Sequence, residues 1–140
     1  MKFFSTILCF LFLFSCKESS VAPEPQPQPV AEETRSEETK SEDISVEEAR
    51  QLLQEGQNIQ IIDVRTPEET NEGIIEGAIL ADINSQDFPA IIEGLDPEKT
   101  YLVYCAVGGR SKTASGYLQS KGFKHVYNLA GGYKAWTADQ

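Results

Sequence analysis

Short apolar segments alternate with amphipathic ones along residues 45–138. The run at 59–64, Ile-Gln-Ile-Ile-Asp-Val, is rich in β-branched residues and predicts a strand that is buried on both faces, as in a parallel sheet. Further strands are predicted at 78–80, 100–104 and 125–129. Because helical segments separate these strands, the pattern predicts an α/β fold with a parallel central sheet.

Capping residues mark where the predicted helices begin. Ser45 and Glu48 have the spacing of a capping box ahead of an apolar helical stripe. Thr66 followed by Pro67 predicts the start of a second, short helix, because a hydroxyl suits the N-cap and proline suits the first helical position. Further helices are predicted at 85–93, at 112–121 and after Gly131-Gly132.

The segment Tyr101-Leu-Val-Tyr-Cys105 runs from a predicted strand into a glycine-containing loop that ends at Arg110 and Ser111. In a strand-loop-helix turn, the loop amides and the first free N–H groups of the helix converge on a small concavity that stabilises an anion. A thiol placed there ionises easily. Asp63 ends the preceding buried strand and falls at the same edge of the sheet, where α/β proteins bind ligands.

Composition limits the partners and the chemistry. The formal charge of −10 argues against nucleic acid as a partner, since a phosphate backbone calls for clustered Lys and Arg. The cysteines are Cys9, Cys16 and Cys105, of which the first two lie near the N-terminal apolar run. One Cys and one His in the rest of the chain are a poor ligand set, so neither a metal nor another cofactor is expected.

Cys105 is the expected nucleophile. The alternative is an inert cysteine buried on the sheet, but the residue stands where the strand gives way to the loop. A dithiol redox cycle is disfavoured because the chain has no Cys-x-x-Cys. A cysteine phosphatase uses five residues between its cysteine and arginine, whereas four separate Cys105 from Arg110, which suits a sulfur atom better than a phosphate.

A family resemblance rests on several motifs in order. These are Ile61-Ile-Asp-Val-Arg65 with Pro67-Glu68-Glu69, Gly73 to Ala78, Val103-Tyr-Cys-Ala-Val-Gly-Gly-Arg-Ser111, Gly122-Phe, Val126-Tyr-Asn-Leu, and Gly131-Gly132 to Trp136. Over about residues 43–138 the chain resembles a single-domain rhodanese. The resemblance implies a rhodanese-like fold, in which helices flank a parallel sheet on both faces.

The resemblance also implies a sulfurtransferase in which Cys105 accepts a sulfane sulfur as a persulfide and passes it to a thiol or another nucleophile. The cradle for that sulfur would be Ala106, Val107, Gly108, Gly109, Arg110 and Ser111. Arg110 would either face the anion or brace the loop against an acid. Asp63 and Arg65 would support the loop as a charge-assisted pair. The partners implied are a small sulfane donor and a thiol acceptor.

Two departures from the family pattern bear on activity. Gly73-Ile-Ile-Glu-Gly-Ala78 stands where Gly-His-Ile-Pro-Gly-Ala is usual, and Ala106 and Val107 replace positions that are often charged or polar. An uncharged loop in an acidic protein should attract the thiosulfate dianion weakly, which favours persulfide or polysulfide donors. The same departures leave open a catalytically weak module that binds or senses a partner.

The N-terminus resembles a bacterial lipoprotein signal. Lys2 precedes an apolar run that is too short for a membrane span, and Leu-Phe-Ser before Cys16 resembles a lipobox. The resemblance implies acylation of Cys16 and a place in the cell envelope, and Lys17 favours the outer membrane over the inner one. The Pro- and Glu-rich composition that follows predicts a disordered linker.

We therefore expect a signal peptide at 1–15, the acylated cysteine and linker at 16–43, and a rhodanese-like domain at 44–138. The oligomeric state does not follow from the sequence.

Overall fold

A computed structural model of the protein describes residues 40–56 and 58–138. The predicted signal peptide, the acylation site at Cys16 and all of the linker before residue 40 lie outside the described residues.

The described strands form one sheet with the spatial order β1-β5-β4-β2-β3. They are β1 (Lys40–Ile44), β2 (Ile59–Asp63), β3 (Ile79–Leu80), β4 (Thr100–Tyr104) and β5 (His125–Leu129). Every neighbouring pair is parallel. The predicted parallel α/β sheet is confirmed.

The helices lie between and after these strands. They are α1 (Val46–Gln54), α2 (Pro67–Thr70), α3 (Phe88–Glu93), α4 (Gly109–Ser120) and α5 (Gly132–Ala138). The predicted capping box at Ser45 is present, and the predicted N-cap Thr66 also forms a capping box, with Glu69. The Ser45 hydroxyl accepts from the Glu48 amide at 3.2 Å, and the Thr66 hydroxyl accepts from the Glu69 amide at 3.5 Å.

Each face of the sheet has its own apolar core. On one face, side chains of α3 and α4 such as Ile92 and Leu118 pack with Val103 of the central strand β4. On the other face, Ala49 of α1 and Trp136 of α5 lie in one cluster with strand residues. Helices therefore cover both faces, which explains why β2 and β4 are apolar almost throughout.

Strand β1 corrects the predicted linker boundary. Residues 40–43 belong to the linker by sequence, yet in the structure they pair with β5 at the sheet edge, with Ser41 beside Val126. Asp43 in this strand accepts hydrogen bonds from Lys112 and from Asn128. These tertiary contacts hold a segment whose composition alone carries no strand signal.

Two helix boundaries also differ from prediction. α3 begins at Phe88 rather than at residue 85, because 85–87 form a turn in which Ser85 accepts from the Asp87 amide. α4 begins at Gly109 rather than at residue 112, so Arg110 and Ser111 belong to its first turn and not to the loop. The loop after Cys105 is thus shorter than expected.

Within the described part of the chain, no helix is both long enough and apolar enough to cross a bilayer.

The contribution of β1 to the fold can be tested at Ile44. This side chain is 5% exposed, and we expect Ile44→Ala to lower the free energy of unfolding by about 2–4 kcal/mol, because it leaves a cavity in the core. Urea denaturation measures the change. Glu42→Ala on the same strand is the control, since Glu42 is exposed and should change stability by less than about 0.5 kcal/mol. Equal effects of the two variants would contradict a structural role for β1.

Candidate active site

The chain order of the strands creates a crevice beside β4. The connection from β2 to β3 leads toward one edge of the sheet, whereas the connection from β4 to β5 leads toward the other. Parallel α/β sheets bind ligands outside the carboxyl ends of strands at such a switch point. Asp63 ends β2 directly beside Tyr104, the last residue of β4, so Cys105 emerges at this crevice.

The Cys105 sulfur lies inside the turn between β4 and α4. It accepts hydrogen bonds from the Gly108 amide at 3.1 Å and from the Ser111 hydroxyl at 3.5 Å. Gly108 is the N-cap of α4 and has φ of +96°, a left-handed conformation that favours glycine. The thiol therefore faces the amino end of a twelve-residue helix, where the helix dipole favours negative charge.

The surroundings lower the pKa of Cys105. Burial is the largest single influence and disfavours the thiolate, but hydrogen bonds from the Ser111 hydroxyl and from the backbone N–H groups of Ser111, Val107 and Gly108 together outweigh it. The Ser111 hydroxyl has one proton and also lies 3.1 Å from the Gly108 carbonyl, so it can turn to the sulfur when the thiol ionises.

Helix α5 fixes the orientation of the loop. The amide of Tyr133 donates to the Cys105 carbonyl at 2.7 Å, and the amide of Lys134 donates to the Ala106 carbonyl at 3.1 Å. Because a trans peptide points its N–H opposite to its C=O, the Val107 amide must face away from α5. The Val107 amide is one of the backbone N–H groups that lower the pKa of Cys105.

Gly132 lets α5 approach this closely. A Cβ built at Gly132 would overlap the Cys105 carbonyl and the peptide that joins Ala106 to Val107, and the residue also has φ of +60°. A larger residue would push the start of α5 away from the loop. The sequence predicts a helix after Gly131-Gly132 but does not reveal the contact with Cys105.

Asp63 and Arg65 form a buried ion pair behind the site. The Arg65 Nη2 lies 2.6 Å from Asp63 Oδ2, and both side chains are at most 3% exposed. The same guanidinium donates to the carbonyls of Gly73 and Glu69, at 2.7 and 3.3 Å. It also lies 4.0 Å from the centre of the Tyr133 ring. The pair thus ties β2 to α2, to the turn at residue 73 and to α5.

Arg110 points to an acid of α2. Its two terminal nitrogens donate to the two carboxylate oxygens of Glu69 at 2.7 and 2.6 Å. Hydrogen bonding to Arg110 is the main cause that lowers the pKa of Glu69 to about 2. Of the two roles considered for Arg110, bracing against an acid is the one that this geometry displays. Glu69 was not recognised from sequence as part of the site, because its partner stands 41 residues away.

The remaining loop residues form the rim. Val107 is 64% exposed, Ala106 is half-buried, and Gly109 is exposed. These side chains present no charge to an approaching donor. Within residues 40–56 and 58–138, no group of three or more His, Cys, Asp or Glu is placed to hold a metal ion.

Comparison with known proteins identifies the family. The model of the rhodanese-like domain matches residues 45–139. The chain belongs to the rhodanese-like family. Its sheet and helices superpose on a rhodanese-like domain protein from Staphylococcus aureus with a TM-score of 0.62 and 34% identity, over 68% of this chain and 90% of that one.

Rhodanese-like relatives include proteins named as sulfurtransferases. The chain is 36% identical to the putative sulfurtransferase YtwF of Bacillus subtilis, over 69% of this chain and 91% of the relative. It is 34% identical to the thiosulfate sulfurtransferase GlpE of Shewanella oneidensis, over 66% of this chain and 89% of the relative. It is 39% identical to a chloroplastic rhodanese-like/PpiC domain protein of Arabidopsis thaliana, over 68% of this chain and only 33% of that longer protein.

The influence of Ser111 on the thiol can be measured by alkylation. The rate of Cys105 alkylation by iodoacetamide follows the thiolate fraction, so its pH profile reports the thiol pKa. We expect Ser111→Ala to move the midpoint to higher pH, because it removes a donor that stabilises the thiolate. Thr113→Ala is the control, since Thr113 is exposed on the same helix and its hydroxyl donates to the Gly109 carbonyl. A midpoint that is unchanged in Ser111→Ala would show that the amides alone set the pKa.

Proposed function

We propose that this rhodanese-like chain is a membrane-tethered sulfurtransferase that carries sulfane sulfur as a persulfide on Cys105. The observation that carries the proposal is the environment of the Cys105 sulfur, which is buried but surrounded by backbone N–H donors and the Ser111 hydroxyl. Such a site stabilises a thiolate and, one bond further out, a second sulfur atom. The names of YtwF and GlpE support the same reaction class.

The reaction has two displacement steps. The Cys105 thiolate attacks the outer sulfur of a donor RS–SH, the donor S–S bond breaks, and RS⁻ leaves while Cys105 becomes a hydropersulfide. An acceptor thiolate then attacks the outer sulfur of that persulfide, and the Cys105 thiolate is regenerated. The sulfane sulfur and its proton pass from donor to acceptor, and no external oxidant or reductant is consumed.

Alkyl persulfides fit the site better than thiosulfate. Arg110 is paired with Glu69, and Lys112, two residues further on in α4, is paired with Asp43 at 2.6 Å. The exposed Val107 is apolar. A dianion therefore meets little compensating charge at the rim, and a donor with less negative charge is disfavoured less. The name of GlpE points to thiosulfate for that relative, so donor preference is the property to measure here.

The proposed tether is a lipid on Cys16. An acylated Cys16 followed by the Pro- and Glu-rich segment would hold the domain at the surface of a membrane in the cell envelope, with the outer membrane or the periplasmic face favoured over the inner membrane. Incorporation of labelled palmitate into the wild-type chain, and its loss in Cys16→Ser, would support the anchor. Equal labelling of the two chains would refute acylation at this residue.

Persulfide formation is tested directly by mass. We expect the Cys105 peptide of the full chain to gain the mass of one sulfur atom after incubation with cysteine persulfide. Cys105→Ser should gain none and should lose at least roughly a thousandfold in sulfur transfer, as expected when a nucleophile is removed. No adduct with cysteine persulfide, polysulfide or thiosulfate would instead favour the binding or sensing module.

Donor preference is tested at Val107. We expect the wild type to favour cysteine persulfide over thiosulfate in kcat/KM. Val107→Lys should raise kcat/KM for thiosulfate roughly fivefold to tenfold at low ionic strength, because it adds one positive charge near a dianion. Val107→Gln adds polarity without charge and should leave the value unchanged. High wild-type efficiency with thiosulfate that does not depend on salt would overturn the preference for persulfides.

A further inference from the structure

The ion pair between Arg110 and Glu69 stands at the wall of the sulfur site. It is bidentate, with both N–O distances at or below 2.7 Å, and each side chain is 32% exposed. Arg110 directly precedes Ser111, whose hydroxyl lies 3.5 Å from the Cys105 sulfur, so the pair stands close to that sulfur in the first turn of α4. Hydrogen bonding to Glu69 is the largest cause that raises the pKa of Arg110, and attraction to Cys105 adds to it. The Arg110 guanidinium is thus paired with the Glu69 carboxylate and lies close enough to Cys105 for its charge to matter there.

Glu69 is held independently of Arg110. Its carboxylate accepts from the Thr66 amide at 3.2 Å, which closes the capping box of α2. Its carbonyl accepts from Arg65, which in turn is fixed by the buried Asp63. The carboxylate is thus presented to Arg110 by a helix that the core ion pair anchors, rather than by a freely rotating surface side chain.

The charges of the pair cancel beside the sulfur. Arg110 and Glu69 together are neutral, so the thiolate at Cys105 is the remaining charge among these three groups. A donor that carries two negative charges is repelled by the thiolate and finds no free cation in the first turn of α4, because Lys112 is also paired. An alkyl persulfide carries less negative charge than thiosulfate and is affected less by this balance.

We propose that Glu69 makes the site favour sulfur donors with little negative charge. It does so because it neutralises the Arg110 guanidinium, which would otherwise attract a dianionic donor to Cys105. The proposal rests on the proposed sulfurtransferase function. Glu69 is a positioning residue in it, since it acts through Arg110. Nothing in this role requires Glu69 to touch the donor.

The test compares a pair of alkylating reagents, and then a pair of sulfur donors, whose members differ in negative charge. Iodoacetate and iodoacetamide alkylate the same thiolate, so both rates at Cys105 in the full chain are proportional to the thiolate fraction. The ratio of the two rates is therefore independent of that fraction and reports the charge near the sulfur. Glu69→Gln keeps an oxygen for the capping box but frees the Arg110 charge. At low ionic strength we expect it to raise the iodoacetate/iodoacetamide ratio roughly threefold, and the thiosulfate/cysteine persulfide ratio of kcat/KM roughly tenfold, because the effect grows with donor charge.

Glu68→Gln is the matched control. It removes the same charge one residue earlier in α2, at a side chain that has no contact with Arg110. Both ratios should stay within about twofold of wild type, because the lost charge is solvent-exposed and screened. Lys134 of α5 is exposed near the loop, but its positive charge is present in all variants and therefore does not affect the comparison between them.

Arg110 variants complete the test. Arg110→Gln leaves the Glu69 charge beside the sulfur and should lower both ratios below wild type, whereas the double variant Glu69→Gln/Arg110→Gln should restore them. If the pair only braces the loop, the two alkylation rates change together and their ratio stays constant, which overturns the proposal. An altered alkylation ratio with an unchanged donor ratio also overturns it. Absence of sulfur transfer in every variant, with the alkylation ratios as expected, would instead refute the proposed function.

Discussion

The buried ion pair of Asp63 and Arg65 is the interaction on which the arrangement of the site depends. One guanidinium satisfies the carboxylate at the end of β2, holds two backbone carbonyls of the segment after it, and lies against the ring of Tyr133 in α5. A buried pair of this kind is weak evidence for net stability, because desolvation offsets much of the attraction. Its effect is geometric. Removal of either partner would leave a buried charge and would release β2, the segment from α2 to residue 73, and α5 from one another.

Two of those elements, α5 and α2, contact the segment that carries the sulfur site. Through α5, the amides of Tyr133 and Lys134 hold the loop carbonyls, so that the loop N–H groups turn to the Cys105 sulfur. Through α2, Glu69 holds Arg110. The backbone thus supplies the hydrogen bonds that stabilise the thiolate, while the side-chain charges beside it cancel. Fixed amide dipoles are available to any sulfur species, whereas a free cation would discriminate by charge.

Local sequence signals were sufficient for most of the fold and for the position of the nucleophile. β2, β4 and β5 are apolar and β-branched enough to be recognised, and the capping box at Ser45 and the N-cap at Thr66 were visible in the sequence. β1 was missed because Lys-Ser-Glu-Asp-Ile has no alternating pattern and is held by tertiary contacts of Asp43. The early start of α4 was missed because a Gly-Gly pair disfavours helix locally, although Gly108 supplies the left-handed cap that begins it.

The pairing of Arg110 with Glu69 shows a different limit. From the sequence, Arg110 ends the predicted cysteine loop and Glu69 lies in the first turn of the predicted second helix, but only the fold brings the two side chains together. The burial of Cys105, at 2% exposed, then bears on the chemistry. A persulfide places its outer sulfur about 2 Å beyond the first, which moves the reactive atom outward from the buried sulfur. On the proposed function, the nucleophile that accepts sulfur is therefore sheltered by the loop, while the atom it delivers lies closer to the acceptor.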